Sequence, residues 1–466
     1  TGYDIDNSLK FEADNTEYLS RTPSSAGNRR TWTLSCWVKR TEITADSNSA
    51  GNQHIILSAG DTYIQFDGNA IWVNFRSSSV NYFLATNRLF RDTSAWYHIV
   101  LVCDTTESTA SNRAKLYING VQETSLQNST YENMSLNYET LMNNTNEHEV
   151  GKYANDETTY ASLFNGYMAE LHLVDGTALT PTSFGEFDSD TGIWIPKAYS
   201  GSYGTNGFYL DFADASDLGD DESGNGNDFA ETNLTAADQA VDTPTNNFCT
   251  WNTLVTNAGV FTYVEGATKW KPSSGNWQTT TASMGFTKGK WYAEFKMDSN
   301  VTAAMVGLQE LEKTTNYVGG YLGASTNSTS MGLGYYNADG KIYKSAGSSS
   351  YGASYPSSVL VGVAIEYKDD GVLNLYVAKD NVWQNSADPA NGTGGFAANS
   401  GNAVDGFFTF AASLYQNPGY WQANFGGYTV NSISSSASDG NGRGVFEYAP
   451  PSGYYALCTK NLAEFG

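Results

Sequence analysis

Basic residues are scarce. Lys and Arg together number 25 against 49 Asp and Glu, which leaves a net charge of -24. Phosphate binding needs Lys and Arg to displace counterions, so this balance argues against nucleic acid and against an anionic membrane surface. Charge of either sign is thin, at 16% of residues, below the quarter usual in globular chains. No apolar run approaches the roughly 18 residues of a membrane-spanning helix. Cysteine is rare: Cys36, Cys103, Cys249 and Cys458 lie far apart, with no CxxC spacing. Cys36 and Cys103 fall in strand-like apolar runs, so buried free thiols are expected rather than a disulfide scaffold. The four histidines, His54, His98, His148 and His172, show no metal spacing. Neither a Gly-x-Ser-x-Gly elbow nor a Gly-Lys-Ser/Thr phosphate cradle is present. No window carries a helical period of 3.6 residues.

What is present is alternation with a period of two. Thr33–Lys39, Trp96–Val102 and Phe164–Val174 read as strands in the first half. Tyr63–Phe66 and Ala70–Phe75 flank an Asp-Gly-Asn turn, and Lys115–Ile118 turns at Asn119-Gly120, a strong hairpin signal. The polar stretch from Gln122 to Tyr160 reads as a surface excursion with a short helix near Tyr138–Asn143. In the second half Lys290–Met297, Val361–Tyr367, Val372–Val377, Phe407–Ser413 and Tyr420–Phe425 alternate. Turns are expected at Asn337–Gly340 and Lys368–Gly371. Many short strands with Asp-Gly and Asn-Gly turns indicate antiparallel sandwiches. The expected fold class is all-β, with two antiparallel jelly-roll β-sandwich domains. Their expected bounds are 1–212 and 251–466, joined by an acidic linker over 213–250. That linker follows from composition: no Lys or Arg occurs between Ala198 and Thr268.

Leu34–Lys39, Trp96–Val100 with Asp104, Lys115–Val121, Phe164–Leu171 and Asp221–Asp228 together resemble the laminin-G/concanavalin A-like superfamily over about 1–230. Gly289–Phe295, Val361–Tyr367, Leu373–Val377, Ala423–Gly426 and Ala449–Tyr454 resemble a SPRY-type sandwich over about 250–455. Tyr3–Leu9, Leu19–Pro23, Asn28–Trp32 and Pro450–Leu457 resemble a group of virion structural proteins of bacteriophages, notably marine ones. That resemblance implies a non-catalytic particle-surface protein: tail fibre, head fibre or capsid decoration. It implies assembly in the host cytoplasm and other capsid or tail subunits as partners. By analogy it also implies a homo-oligomer, with a trimer as the guess. Host-surface polysaccharide is the further expected partner, with neither nucleic acid nor membrane insertion. A glycan-binding receptor protein and a polysaccharide depolymerase stay open as alternatives.

Each motif with catalytic or binding chemistry also has a plain structural reading. Sandwich glycosidases need paired carboxylates on one cleft. Glu186-Phe-Asp-Ser-Asp190 is the nearest sequence, and it lacks the closing Glu. Glu147-His-Glu149 reads as a solvated face, Glu294 and Glu366 as outward strand positions, and His98 and His172 as structural imidazoles. Asp221, Ser223 and Asn225, with Asp228 behind them, match the opening of a hard-oxygen loop, which makes calcium the candidate cation. Thr232 stands where an EF-hand would place its bidentate Glu. Trp194, Tyr199, Tyr203, Tyr415, Tyr420 and Trp421 are the candidate glycan-stacking residues, because aromatic faces pair with apolar sugar faces.

Overall fold

The computed structural model describes residues 2–43, 53–76, 81–127, 129–154, 162–255, 261–273, 276–311, 320–324, 331–344, 347–416 and 419–466. The chain divides into two compact units, Thr1–Thr245 and Asn246–Gly466. Both are built from antiparallel sheets, and the one α-helix among the described residues is Thr459–Phe465 at the end of the chain. No described helix is long and apolar enough to cross a membrane.

In the first unit the strands Thr31–Arg40, Trp96–Asp104 and Gly166–Asp175 form the middle of an eight-stranded sheet. The register sets Leu34 opposite both Leu101 and Leu173, so one face is a continuous aliphatic layer. It packs on Leu57, Ile64 and Val73 of a seven-stranded sheet to make one core. The hairpins read from the Asp-Gly-Asn and Asn119-Gly120 turns are present. Gly120 has φ +77, and a Cβ there would meet the Trp194 ring at 2.3 Å, so both backbone and packing demand glycine.

Alternation alone would leave the outer face of the eight-stranded sheet polar. Yet all ten residues of Gly166–Asp175 are buried, because the chain after Val174 folds back over that face. Phe184, Trp194 and Tyr203 seal it. Two buried lysines sit on this sheet. Lys39 pairs with Asp242 at 2.7 Å, and Lys10 lies 3.0 Å from Glu17 and 2.8 Å from Asp238.

The second unit repeats the plan. Gly289–Met297 lies between Val361–Tyr367 and Trp421–Asn424 in a nine-stranded sheet. Phe295, Val363 and Leu375 of its inner face meet Val306, Leu333 and Phe410 of a six-stranded sheet. Again the outer face of the first sheet is covered, here by residues 427–456. Tyr454 packs on Tyr376, Phe446 on Tyr292, and Tyr455–Ala456 adds a parallel strand to Gly289–Met297. All four cysteines are buried and unbridged. Burial pushes the Cys36 and Cys103 thiols well up, and Cys458 up to about 11.

Several expectations change. The stretch expected as an acidic linker is part of the first sandwich up to Thr245. Ala230–Thr232 pairs with Tyr18–Arg21, and Gln239–Ala240 pairs with Ser8–Phe11, while Leu218, Phe229 and Leu234 enter the core. Its Asp and Gly content builds turns, not freedom. The excursion over 122–160 is likewise folded in, as far as it is described. Tyr131, Met134 and Met142 are core residues, and the Trp32 indole donates to Thr140 Oγ1 at 3.0 Å. Tyr138–Asn143 is not helical. His148 and Glu149 are buried, because His148–Val150 is an inner strand of the seven-stranded sheet. Glu294 and Glu366 do point off the sheet, but the covering segment buries them.

Two outcomes follow from this packing. Phe229→Ala in the full chain lowers unfolding free energy by roughly 3 kcal/mol or more, measured by denaturant titration, as for a core aromatic. A linker residue would cost almost nothing. Burial also holds His54 and His98 down to about 3 and His148 down to about 4. Their folded-state values lie below the ordinary value near ~6.5, so the unfolded chain binds more protons in acid. Thermal unfolding should therefore move to lower temperature as pH falls from about 7 to 4.

Candidate functional site

The outer face of the six-stranded sheet differs from the covered faces. Its centre is low, of mostly small residues with Met305 among them, and its margin is aromatic. Thr279, Ser413, Ala411, Gly307 and Gly334 pave the centre, as the cross-strand registers of Trp277–Thr281, Phe408–Tyr415, Ala304–Glu310 and Gly332–Tyr336 require. Around them stand Trp277, Tyr336, Tyr343 and Tyr415, one from each of four strands. Residues 320–324 lie over this floor. Thr279 Oγ1 donates to the Gly320 carbonyl at 2.9 Å, and Leu322 N–H donates to Ser413 Oγ at 3.0 Å. A Cβ on Gly334 would sit 2.7 Å from Leu322 Cβ, so the small floor is what lets the segment approach. The segment supplies a fifth ring, Tyr321.

The five rings form one connected surface. The Trp277 centroid is 5.4 Å from Tyr321, 5.8 Å from Tyr336 and 5.5 Å from Tyr415. Tyr343 is 5.8 Å from Tyr321 and 5.6 Å from Tyr336. None of the five is buried, and Tyr415 is 38% exposed. A polar rim borders them. The Tyr343 hydroxyl donates to Asp339 Oδ2 at 2.9 Å, which Lys341 also approaches, and the exposed strand Gly347–Ser350 brings three serines alongside. Partial burial and then the Asp339 carboxylate push the Tyr343 hydroxyl up to about 12, so it remains a neutral donor. Flat apolar faces with hydroxyls, a carboxylate and an ammonium at the edge suit a ligand with C–H faces and many hydroxyls.

Of the residues expected from sequence, Tyr415 lies in this surface. The others are placed elsewhere. Trp194 is wedged between Gly120 and Gly185, and its indole donates to His98 Nδ1 at 2.9 Å. Tyr203 is buried with its hydroxyl 2.9 Å from His172 Nδ1, and Tyr199 is half-buried against Phe184. Trp421 is fully buried in the core of the second unit, donating to the Ser413 carbonyl at 3.1 Å. Tyr420 is half-buried, with the Lys269 and Lys271 ammonium groups over its ring at 4.8 and 4.6 Å. Trp194, Tyr203 and Trp421 are thus corrected from glycan candidates to packing residues, since each ring is enclosed by its own sandwich. Sequence reasoning missed Trp277, Tyr321, Tyr336 and Tyr343. A signal existed for two of them. Tyr335 and Tyr336 are adjacent, so alternation sends one ring inward and the other out. Ile342 inward likewise sends Tyr343 out.

The Asp221 loop closes on itself. Asp221 Oδ1 accepts from Tyr209 N–H and Ser223 N–H at 2.8 and 2.9 Å, and Oδ2 from Ser223 Oγ and Asn227 N–H, both at 2.8 Å. Asp228 Oδ1 accepts from Asp221 N–H at 3.2 Å, and Asn225 Nδ2 donates to the Gly204 and Gly207 carbonyls. The positive charge beside Asp221 and Asp228 is Arg21. Donors already fill both Asp221 oxygens, so this arrangement does not fit a calcium cage. Among the described residues no group of three or more His, Cys, Asp or Glu is placed to hold a metal ion.

The Ser35–His98 pair, found among the described residues, also reads structurally. His98 Nδ1 accepts from Trp194, so Nε2 carries the proton and donates to Ser35 Oγ at 2.9 Å. This tautomer cannot take the serine proton. Glu186 lies in the short hairpin Gly185–Phe187 with Trp194–Pro196, exposed on one strand.

The concanavalin A-like lectin/glucanases superfamily matches the chain over residues 13–183. No curated protein matches it. Among solved structures, a human SPRY domain is similar at 15% identity and TM-score 0.26, over 35% of this chain and 95% of its own. Domains LG4-5 of the mouse laminin alpha1 chain are similar at 10% identity and TM-score 0.29, over 90% of this chain and 88% of their own. A heptameric SAP-like pentraxin from Limulus polyphemus is similar at 16% identity and TM-score 0.26, over 38% of this chain and 80% of its own.

Asp221→Ala removes a carboxylate that closes four hydrogen bonds and lowers stability by about 2 kcal/mol. Calcium or a chelator leaves the melting temperature of the unmodified protein unchanged. A calcium-dependent rise in differential scanning fluorimetry would return the loop to the cation-binding class.

Proposed function

We propose that this chain is a non-catalytic adhesion protein of a virus-particle surface, and that the second unit binds a neutral glycan of the host surface. The observation that carries the glycan reading is the surface of five rings around Trp277. A sugar chain offers C–H faces to such rings and hydroxyls to the Asp339, Lys341 and serine rim. Tyr and Trp lose little side-chain entropy on binding, which favours stacking sites built from them. A neutral chain is favoured over an acidic one by charge. Residues 1–245 hold 34 acidic and 13 basic residues, and 246–466 hold 15 and 12. Each unit is net acidic, so each repels polyanions, nucleic acid included.

The particle placement is supported by the sequence resemblance at Tyr3–Leu9, Leu19–Pro23, Asn28–Trp32 and Pro450–Leu457. On that reading the partners are capsid or tail subunits, the protein is a homo-oligomer, a trimer by analogy, and its place is the virion surface.

A glycan array with the full chain tests the binding claim. Retention of one or more neutral glycans is expected, and Trp277→Ala weakens it about tenfold or more, ~1.4 kcal/mol at least. The melting temperature shifts little, since the ring is half outside the core. No retained glycan, or binding indifferent to Trp277→Ala, overturns the site. Electron cryomicroscopy of the particle tests the placement separately.

A further inference from the structure

Lys10 is completely buried between two carboxylates. Its Nζ is 3.0 Å from Glu17 Oε1 and 3.0 Å from Glu17 Oε2, and 2.8 Å from Asp238 Oδ1. Glu17 is held in place from its far side, by Glu12 N–H at 2.7 Å and Asn15 Nδ2 at 3.0 Å. Asp238 is held by its other oxygen, Oδ2, which accepts from Thr235 N–H at 2.8 Å and Thr235 Oγ1 at 3.1 Å. The backbone sets the encounter. Ser8 pairs with Ala240 and Leu9 with Gln239, so one step further the same register faces Lys10 with Asp238. An amine and a carboxyl are thereby fixed at reacting distance, away from water, beside a second carboxyl that reaches the same nitrogen.

We propose that Lys10 and Asp238 condense to an intramolecular isopeptide bond, with Glu17 as the group that carries the protons. Glu17 takes a proton from the Lys10 ammonium and passes it to Asp238 Oδ1, giving a neutral amine and a neutral acid. The amine lone pair adds to Asp238 Cγ while Oδ2 leans on the two Thr235 donors. A second proton leaves Nζ through Glu17 to Oδ1, the Cγ–Oδ1 bond breaks, and Oδ1 departs as water. The balance is ammonium plus carboxylate to amide plus water, with no oxidant or co-reactant. Glu17 ends as it began. Burial pushes the Glu17 carboxyl up to about 7, with Lys10 opposing the shift, so it can gain and lose a proton near neutral pH. Burial also supplies the direction. An enclosed ion pair keeps its full desolvation penalty, and an amide in the same place carries no net charge. Holding the reactants in place supplies the rate.

The bond would join the strand Ser8–Phe11 to the residue that leads into Gln239–Ala240, across nearly the whole of the first unit. A pull on the chain at either end would pass through the amide and leave residues 11–237 unloaded. This inference does not rest on the glycan reading.

Intact mass spectrometry of the full chain, purified natively and then denatured, is the test. The expected mass is the sequence mass less one water, with a proteolytic fragment linking Lys10 to Asp238. Lys10→Arg and Asp238→Ala restore the missing water. Glu17→Gln, which keeps a hydrogen-bonding side chain but cannot carry a proton, gives full mass. A full-mass, cooperatively melting unmodified protein overturns the proposal, whatever the variants do. So does a water loss that maps elsewhere, for instance to Lys39 and Asp242. Complete water loss in a folded Glu17→Gln chain overturns the role given to Glu17. If that variant does not fold, Glu17→Asp takes its place, and slower water loss is the result required.

Discussion

A sheet has two faces, and a sandwich core covers one. The rest of this protein depends on how the other face of the central sheet is closed. In each unit the chain itself returns over it, residues 179–205 in the first and 427–456 in the second. That return turns outward strand positions into interior ones. Polar groups caught beneath it must then be satisfied locally. Glu294 shows the outcome: it accepts from the backbone N–H groups of Glu447 and Tyr448 and from Asn424 Nδ2, all supplied at 2.8–3.1 Å. Burial still pushes its carboxyl up. In the first unit His98 is satisfied by Trp194 from the return and by Ser35 from the sheet.

This explains where the sequence was legible. Alternation and Asn-Gly or Asp-Gly turns are local, so the hairpins at Asp67–Asn69, Asn119–Gly120 and Lys368–Gly371 could be read directly. Closure of the second face is not local. Glu294 alternates with Ala293 and Phe295 as any solvated strand residue would, and the backbone of the distant Glu447 and Tyr448 closes over it. The acidic stretch after 213 misled for a related reason. Asp and Gly are what a linker contains, and also what tight turns need when a carboxylate such as Asp221 closes them.

Aromatic residues are ambiguous in sequence, because a ring fits a core and a binding surface equally well. Trp421 and Tyr415 lie six residues apart, yet one is sealed inside the second unit and the other stands at its surface. The rings around Trp277 come from positions as far apart as 277 and 415, so their meeting is a product of strand order. Their exposure contrasts with the covered faces. Here residues 320–324 lie low over a floor of glycine, alanine, serine, threonine and Met305, and the rings stay partly open.

The four buried thiols have a practical consequence. Each is enclosed, and those whose acidity is shifted are far from the thiolate form at neutral pH. Oxidising or reducing surroundings should leave the folded chain alike, so it can pass from one to the other without rebuilding. Maleimide reagents should likewise ignore the native cysteines. One engineered surface cysteine beside Trp277 would then carry a fluorophore at a single defined position, with no background to remove first.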